Sequence, residues 1–302
     1  MLSVIVCSIS PEAAAALQEN IARTIGNGIG YEFIIWDNRK ENRPIAQVYN
    51  NCAKQAAGNN LLFVHEDVVF LSENWGKAIE KKLQEPDCGV IGFAGSIIKP
   101  AVYSGWSINR DCERSHYWFM SKGERKLCHH NITKDSPFQQ VVTLDGLGFF
   151  VRKEVHERHP FDEKMLTGFH CYDLDYTLEI SKYYKNYCCV IDILHMSNGS
   201  YNATWVAETK KMHRLKWNEF LPLTIDGVVF TPKQMQRIND DALWKFFRAS
   251  YRTLSPSLAF KNLLIYSKLP VSIIHIRRIC SGIVKIIRLT LYCKYKSTKF
   301  AK

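Results

Sequence analysis

Short apolar runs alternate along the first two-thirds of the chain with stretches of helical spacing. Residues 2–8 are almost continuously apolar, as a strand buried on both faces is. Residues 11–25 predict a helix, with Ser10 placed to cap it and Pro11 at its first position. Gly26-Asn27-Gly28-Ile29-Gly30 closes that helix. Because these glycines follow a helix and not a strand, they make a poor dinucleotide fingerprint. Residues 31–36 predict a second strand, ending at Asp37-Asn38. Residues 45–57 predict a helix, and residues 61–64 a third strand that runs straight into His65-Glu66-Asp67. Strand, helix, strand, helix, strand opens a doubly wound α/β sheet.

A helix at 75–84 and a strand at 89–93 continue the pattern, which then blurs. Residues 94–138 mix aromatic, glycine and charged positions and read as a substrate-side loop region. Strands at 140–144 and 148–152 frame Asp145-Gly146-Leu147. A helix at 172–184 starts on Tyr172-Asp173-Leu174-Asp175, and a strand at 188–194 ends at His195. From Tyr201 onward the periodicity is helical.

Ligands of open α/β sheets bind past the carboxyl ends of the strands, so the polar residues there are the candidates for chemistry. Asp67 could hold a divalent cation, which favours carboxylates, or simply close its strand. His65, two residues earlier, could point the same way or be a packed histidine. His195 could be a third ligand, a diphosphate contact or a core histidine. Asp173 and Asp175 sit at a helix start, where the dipole stabilises carboxylates. Asp173 could also act as a general base. Asp175 cannot share its helical face and reads as a loop anchor. Asp37 could bond a base or ribose, and Asn50 on the next helix could line the same crevice.

Composition refines this picture mainly at the C-terminus. The chain has 302 residues and a net charge of +11, with 40 basic and 29 acidic side chains. No Asp or Glu follows Asp241, while residues 242–302 carry thirteen Lys or Arg; residues 1–241 are therefore near neutral. The ten cysteines include no C-x-x-C pair, which fits reduced thiols in the cytoplasm. Cys128-His129-His130 with Cys112 matches no standard zinc spacing. Residues 1–10 lack a basic leader and read as a strand, and no run is apolar and long enough to span a bilayer.

Several segments, in this order, resemble the GT-A glycosyltransferase fold and specifically family 2-like enzymes. They are V-I-V-C-S-I-S (4–10), I-I-W-D-N (34–38), I-A-Q-V-Y-N-N-C-A-K-Q-A (45–56) and L-L-F-V-H-E-D-V (61–68). Later come L-D-G-L-G-F-F-V-R-K-E-V (144–155) and F-H-C-Y-D-L-D-Y-T-L-E (169–179). The H-E-D-V variant is most similar to the group related to a streptomycin-biosynthesis protein. The resemblance implies a Rossmann-like nucleotide-diphospho-sugar transferase domain over 1–200, with a donor half at 1–93 and an acceptor half at 94–200. A mainly helical, basic extension would occupy 201–302. It implies a donor, most simply a UDP-sugar, bound by Ser8, Asp37, Asn50, Asp67, Asp145 and Gly146. It further implies Mn²⁺ or Mg²⁺ on Asp67, His195 and His65, with Asp173 as the base of an inverting transfer. Two positions depart from the family pattern. His65 stands where D-x-D begins with an acid, and Tyr172 stands where Glu precedes the base.

Residues 271–293 are amphipathic. Arg277, Arg278, Ser281, Lys285 and Arg288 share one helical face, and Ile276, Ile279, Ile283, Ile287 and Leu291 the other. Such a helix reads as lying on an anionic membrane surface, which places the protein at the cytoplasmic face. The implied acceptor is a glycan or lipid-linked hydroxyl in cell-surface polysaccharide or lipopolysaccharide synthesis. One alternative is a weak or inactive nucleotide-sugar-binding scaffold of the same fold. A nucleic-acid-binding tail is a remoter one, because the apolar face is too wide for a plain phosphate-binding arm.

Overall fold

The computed structural model describes residues 1–197 and 201–300, the last four as backbone only. The boundary near 200 drawn from the sequence falls outside the described residues. Two units emerge, one comprising residues 1–99, 110–199 and 223–226, the other residues 100–109, 200–222 and 227–302.

The first unit is built on a seven-stranded sheet. Its strands are β1 (Leu2–Ser8), β2 (Tyr31–Asp37), β3 (Asn60–Val64), β5 (Cys88–Gly92), β10 (Phe138–Val141), β12 (Gly148–Arg152) and β13 (Lys185–Cys189), in the order β10-β13-β5-β12-β3-β1-β2. β1 pairs parallel with both β2 and β3, aligning Val4 with Phe33 and Leu62. Its apolar run is continuous because both faces are covered, and Val4, Ile5 and Val6 are fully buried. The connections are α1 (Pro11–Thr24) and α2 (Ile45–Gln55). Ser10 accepts the Ala13 amide and Pro11 opens the first turn of α1, as the sequence signals predict. The sheet is not purely parallel. β12 runs antiparallel between β3 and β5, so a reversed strand interrupts the doubly wound pattern.

A second sheet contains β4 (Val68–Phe70), β6 (Ala94–Ser96), β8 (Glu113–Ser121), β9 (Glu124–His130), β11 (Thr143–Leu144) and β14 (Ile193–His195). It corrects three expectations. The stretch read as loop contains the β8–β9 hairpin, turned by Lys122 and Gly123, both at positive φ. Its apolar alternation is hidden because β8 buries Glu113, Ser115 and His116. The strands expected at 140–144 and at 188–194 are each two strands, β10 with β11 and β13 with β14, divided between the two sheets. The chain changes sheets at Asp192, whose carbonyl accepts the amides of Leu71 and Ser72. A short pair, β7 (Ile98–Lys99) with β15 (Leu223–Thr224), and the helices α3 (Trp75–Leu83), α4 (Lys153–Arg158) and α5 (Tyr172–Ser181) complete this unit.

The second unit is helical. It holds α6 (Ala203–Met212), continued by a π-helical turn (His213–Trp217), then α7 (Pro232–Arg252), α8 (Pro256–Tyr266) and α9 (Ile273–Phe300). Asp240 on α7 ties the last helices together. It accepts from Tyr266 Oη at 2.5 Å, bonds His275 Nδ1 at 3.1 Å and pairs with Arg278. Arg278 also reaches Asp241 at 2.7 Å. Arg278 thus faces an acidic pair and leaves the basic face predicted for it, and Ile279 is half-buried. No described helix is long and apolar enough to cross a membrane.

Candidate active site

The site forms where the two sheets of the first unit meet, past the carboxyl end of β3. The His65 amide donates to Leu147 O at 3.1 Å, which holds the strand exit against the loop before β12. β4 starts at Val68 and pairs antiparallel with β14, setting Val68 opposite His195. The Met196 amide then donates to Asp67 O at 3.0 Å. These pairings bring His195 Nε2 to 3.4 Å from Asp67 Oδ1 and its ring to 5.7 Å from that of His65. One ligand atom from each of His65, Asp67 and His195 lies within 4.8 Å of the others, a group with the spacing to hold a metal ion.

The charges in this group depend on one another. Burial works against the Asp67 carboxylate, yet His195 and Ser197 hold its pKa well below the usual carboxylate range. Burial also opposes charge on His195, but the bond to Asp67 and the Asp67 and Asp145 charges outweigh it and raise its pKa. His65 goes the other way, its pKa lowered by burial and by neighbouring His195. A neutral imidazole and an ionised carboxylate are the forms that bind cations.

Tyr172 fixes which nitrogen of His65 is available. Its hydroxyl donates to Gly146 O at 2.9 Å, and His65 Nε2 lies 2.9 Å from the hydroxyl oxygen, Tyr172 Oη. A phenol has one proton. With that proton on the carbonyl, Tyr172 accepts from His65 Nε2–H, and His65 Nδ1 keeps its lone pair. The same hydroxyl explains Gly146, since a Cβ there would lie 2.3 Å from Tyr172 Oη.

Asp173 follows directly on α5. The Gly146 amide donates to its Oδ2 at 3.0 Å. Burial, then the charge of Asp145, raises the Asp173 pKa to about 7. This departs from the expectation that the helix start would simply stabilise the anion. A carboxyl that titrates near neutrality is matched to taking up and releasing protons.

The other residues singled out in the sequence are placed as follows. Asp145 accepts the Leu147 amide at 2.9 Å and lends its charge to Asp173 and His195. Ser8 donates to Glu66 Oε2 at 2.5 Å. Asp37 is exposed at the end of β2 in a two-pronged pair with Arg39, which lowers its pKa to about 2. Both ends of the Asn50 amide are engaged, by the Phe161 backbone at 2.9 and 3.1 Å and by Glu163 at 3.1 Å. Asn50 therefore ties α2 to the 161–163 segment. Asp175 is 1% exposed, its amide bonded to Cys171 O.

Glu66 was not legible as a site residue. It sits between two ligand candidates, and its carboxylate turns away to receive the Ser8 hydroxyl and the amides of Ile9 and Ser10. It thereby fixes the β1–α1 loop. A cavity of about 580 Å³ opens beside Glu66 and Asp67, walled by Ala13, Ala16 and Val68. That volume suits a small-molecule site.

A mixed sheet with histidines and carboxylates gathered past its third strand is the GT-A type of α/β architecture. The chain belongs to the glycosyltransferase-like family, whose model matches residues 3–219. Among solved structures it is similar to GalNAc-T7 with UDP, GalNAc and Mn²⁺, at TM-score 0.51 and 9% identity. That match covers 72% of this chain and 48% of that one, so the chain spans about half the length of that relative. Weaker similarity, at TM-score 0.46 and 13% identity, relates it to the mannosyltransferase PcManGT from Pyrobaculum calidifontis in complex with GDP-Man and Mn²⁺. The match covers 98% of this chain and 82% of that one. No curated protein matches the sequence significantly.

Proposed function

We propose that the chain transfers a sugar from a nucleotide-diphosphate donor, a UDP-sugar in the first instance, to a hydroxyl of a glycan or lipid-linked acceptor. One observation carries this reading. A three-residue cation site, His65, Asp67 and His195, is linked through the Gly146 peptide to a carboxyl, Asp173, whose pKa lies near 7. Family membership supports it, as does the UDP and Mn²⁺ held by the structurally similar GalNAc-T7.

The donor atoms fit a divalent cation. Two imidazoles and one carboxylate suit Mn²⁺ better than Mg²⁺, which keeps an all-oxygen shell. A cation held there supplies positive charge to the departing diphosphate. Asp173 takes the proton from the acceptor hydroxyl as that oxygen attacks the anomeric carbon, giving inversion. The Gly146 amide orients the carboxylate for that transfer. Turnover and thermal stabilisation with a panel of nucleotide sugars, with and without Mn²⁺, test the reading. A donor that stabilises the fold but is not turned over would favour the scaffold alternative.

The C-terminal helix supports a peripheral position on the cytoplasmic membrane face, in polysaccharide or lipopolysaccharide synthesis. α9 leaves Ile276, Ile283, Ile287 and Leu291 exposed, with Arg277 and Arg288 beside them. An apolar stripe flanked by cations suits an anionic lipid surface.

A further inference from the structure

The helical unit carries a cluster of cations to which the proposed transfer assigns no role. Lys245, Arg248 and Arg252 lie at i, i+3 and i+7 on α7, all exposed, so they stand on one face of the helix. Lys245 Nζ donates to Ser107 Oγ at 2.8 Å. Neither Arg248 nor Arg252 pairs with a carboxylate among the described residues, and no acidic residue follows Asp241 in the chain. Four apart on a helix, the two guanidinium groups repel each other unless an anion lies between them. The negative end of the helix dipole accounts for Arg252 in the last turn. It does not reach Lys245, about two turns upstream.

The three cations border a cavity of about 200 Å³, and aromatic rings form another part of its wall. Trp205 is 9% exposed, packed edge-on against Tyr201 at 4.9 Å and tilted against Phe246 at 5.5 Å. Tyr201 keeps 43% of its surface open. A cavity of this size admits a phosphate with an attached organic group. Guanidinium forks match phosphate oxygens in pairs. Aromatic walls offer a face to a sugar ring or an alkyl chain.

We propose that this cavity binds a phosphate ester, with Arg248 and Arg252 on the phosphate and Trp205 and Tyr201 against its organic part. The cavity shares no residue with the proposed donor site, and the claim holds or fails whether or not the chain transfers a sugar. The ester could be a soluble sugar phosphate or a phospholipid headgroup; the test distinguishes these sources.

The full-length chain, in EDTA to silence the cation site, is titrated with inorganic phosphate and with glucose 1-phosphate while Trp fluorescence and heat are followed. Vesicles of phosphatidylcholine with or without phosphatidic acid form the second arm. Arg248→Gln/Arg252→Gln is the matched variant; both positions are exposed, and an unchanged melting curve checks its fold. Tighter binding of glucose 1-phosphate than of inorganic phosphate, weakened at least tenfold in the variant and by added salt, supports the site with a soluble ester. Binding of phosphatidic acid vesicles alone, lost in the same variant, supports it with a lipid headgroup. Equal affinity of variant and wild type for every probe, or no binding of any, overturns it. Equal affinity for inorganic phosphate and glucose 1-phosphate, without vesicle binding, overturns the role of the aromatic wall.

Discussion

His65 Nε2 and the Tyr172 hydroxyl lie 2.9 Å apart, and they are the two positions at which the sequence departs from the pattern expected from its resemblance. The departures are thus in contact. An imidazole stands where the resemblance expects the first acid of D-x-D, a phenol stands where it expects the acid before the proposed base, and the phenol holds the imidazole in one tautomer. Groups that orient a metal-binding histidine in this way are worth roughly 10–100-fold in metal affinity. Tyr172→Phe is expected to weaken Mn²⁺ binding by that factor, measured by titration of the EPR signal. In metal-free protein, the ¹⁵N NMR signals of His65 should change from a single Nε2–H form to a mixture. An unaltered tautomer in Tyr172→Phe would refute this role.

Asp173 sets an expectation for pH. Its pKa is raised to about 7, and a base works only when deprotonated. The rate should therefore fall roughly tenfold per pH unit below 7 and level off above it. Asp173→Asn keeps an oxygen for the Gly146 amide but cannot accept the proton. A loss of roughly 10²–10⁴-fold in kcat, with donor affinity held, is expected. Wild-type turnover in Asp173→Asn would rule out Asp173 as the base.

The same carboxyl should cost stability. Its folded pKa of about 7 exceeds the unfolded value of 3.8, so between those pH values the folded chain binds more protons than the unfolded one. Stability contributed at this site is fully present below pH 4, declines as pH rises to 7 and stays low above. Allowing for partial exposure of the side chain, the penalty is roughly 2 kcal/mol. Asp173→Asn should melt higher than wild type at pH 8 and show no such gain at pH 4. Calorimetric scans without added metal check the sign.

Cation binding should also depend on pH, through His195. Asp67 and Asp145 raise its pKa, so near and below neutrality a proton occupies an atom the cation needs. Mn²⁺ affinity is expected to drop as pH falls from 8 to 6, with a proton released on binding. Calorimetry in buffers of different ionisation enthalpy reads that proton directly. Asp67→Asn should abolish the binding, because it removes the only carboxylate of the group.

The proposed membrane association would rest on exposed positions, so it can be tested without disturbing packing. Ile283→Glu/Ile287→Glu should lower flotation with phosphatidylglycerol vesicles by tenfold or more, with no change in melting temperature. Arg278→Gln should instead destabilise the helical unit, because it removes the guanidinium that pairs with both Asp240 and Asp241, and Arg237 at 3.8 Å reaches only Asp241.

The sequence by itself determined β1, β2, β3 and β5, the helices between them and the Ser10 cap of α1, because a strand covered on both faces must be apolar along its length and a serine before Pro11 can accept a first-turn amide. It also marked Asp67, Asp173 and His195 as residues at element ends. The β8–β9 hairpin escaped it, since polar side chains occupy the buried positions there and erase the alternation. Only the tertiary structure decided which element ends meet. His195 reaches Asp67 because β14 leaves the first sheet and pairs with β4 in the second, a contact across 128 residues that no local period encodes. Likewise only packing shows that Tyr172 answers His65, and that Asp173 is sufficiently buried to titrate near neutrality. Burial and proximity are properties of the fold, and they turn marked residues into a site.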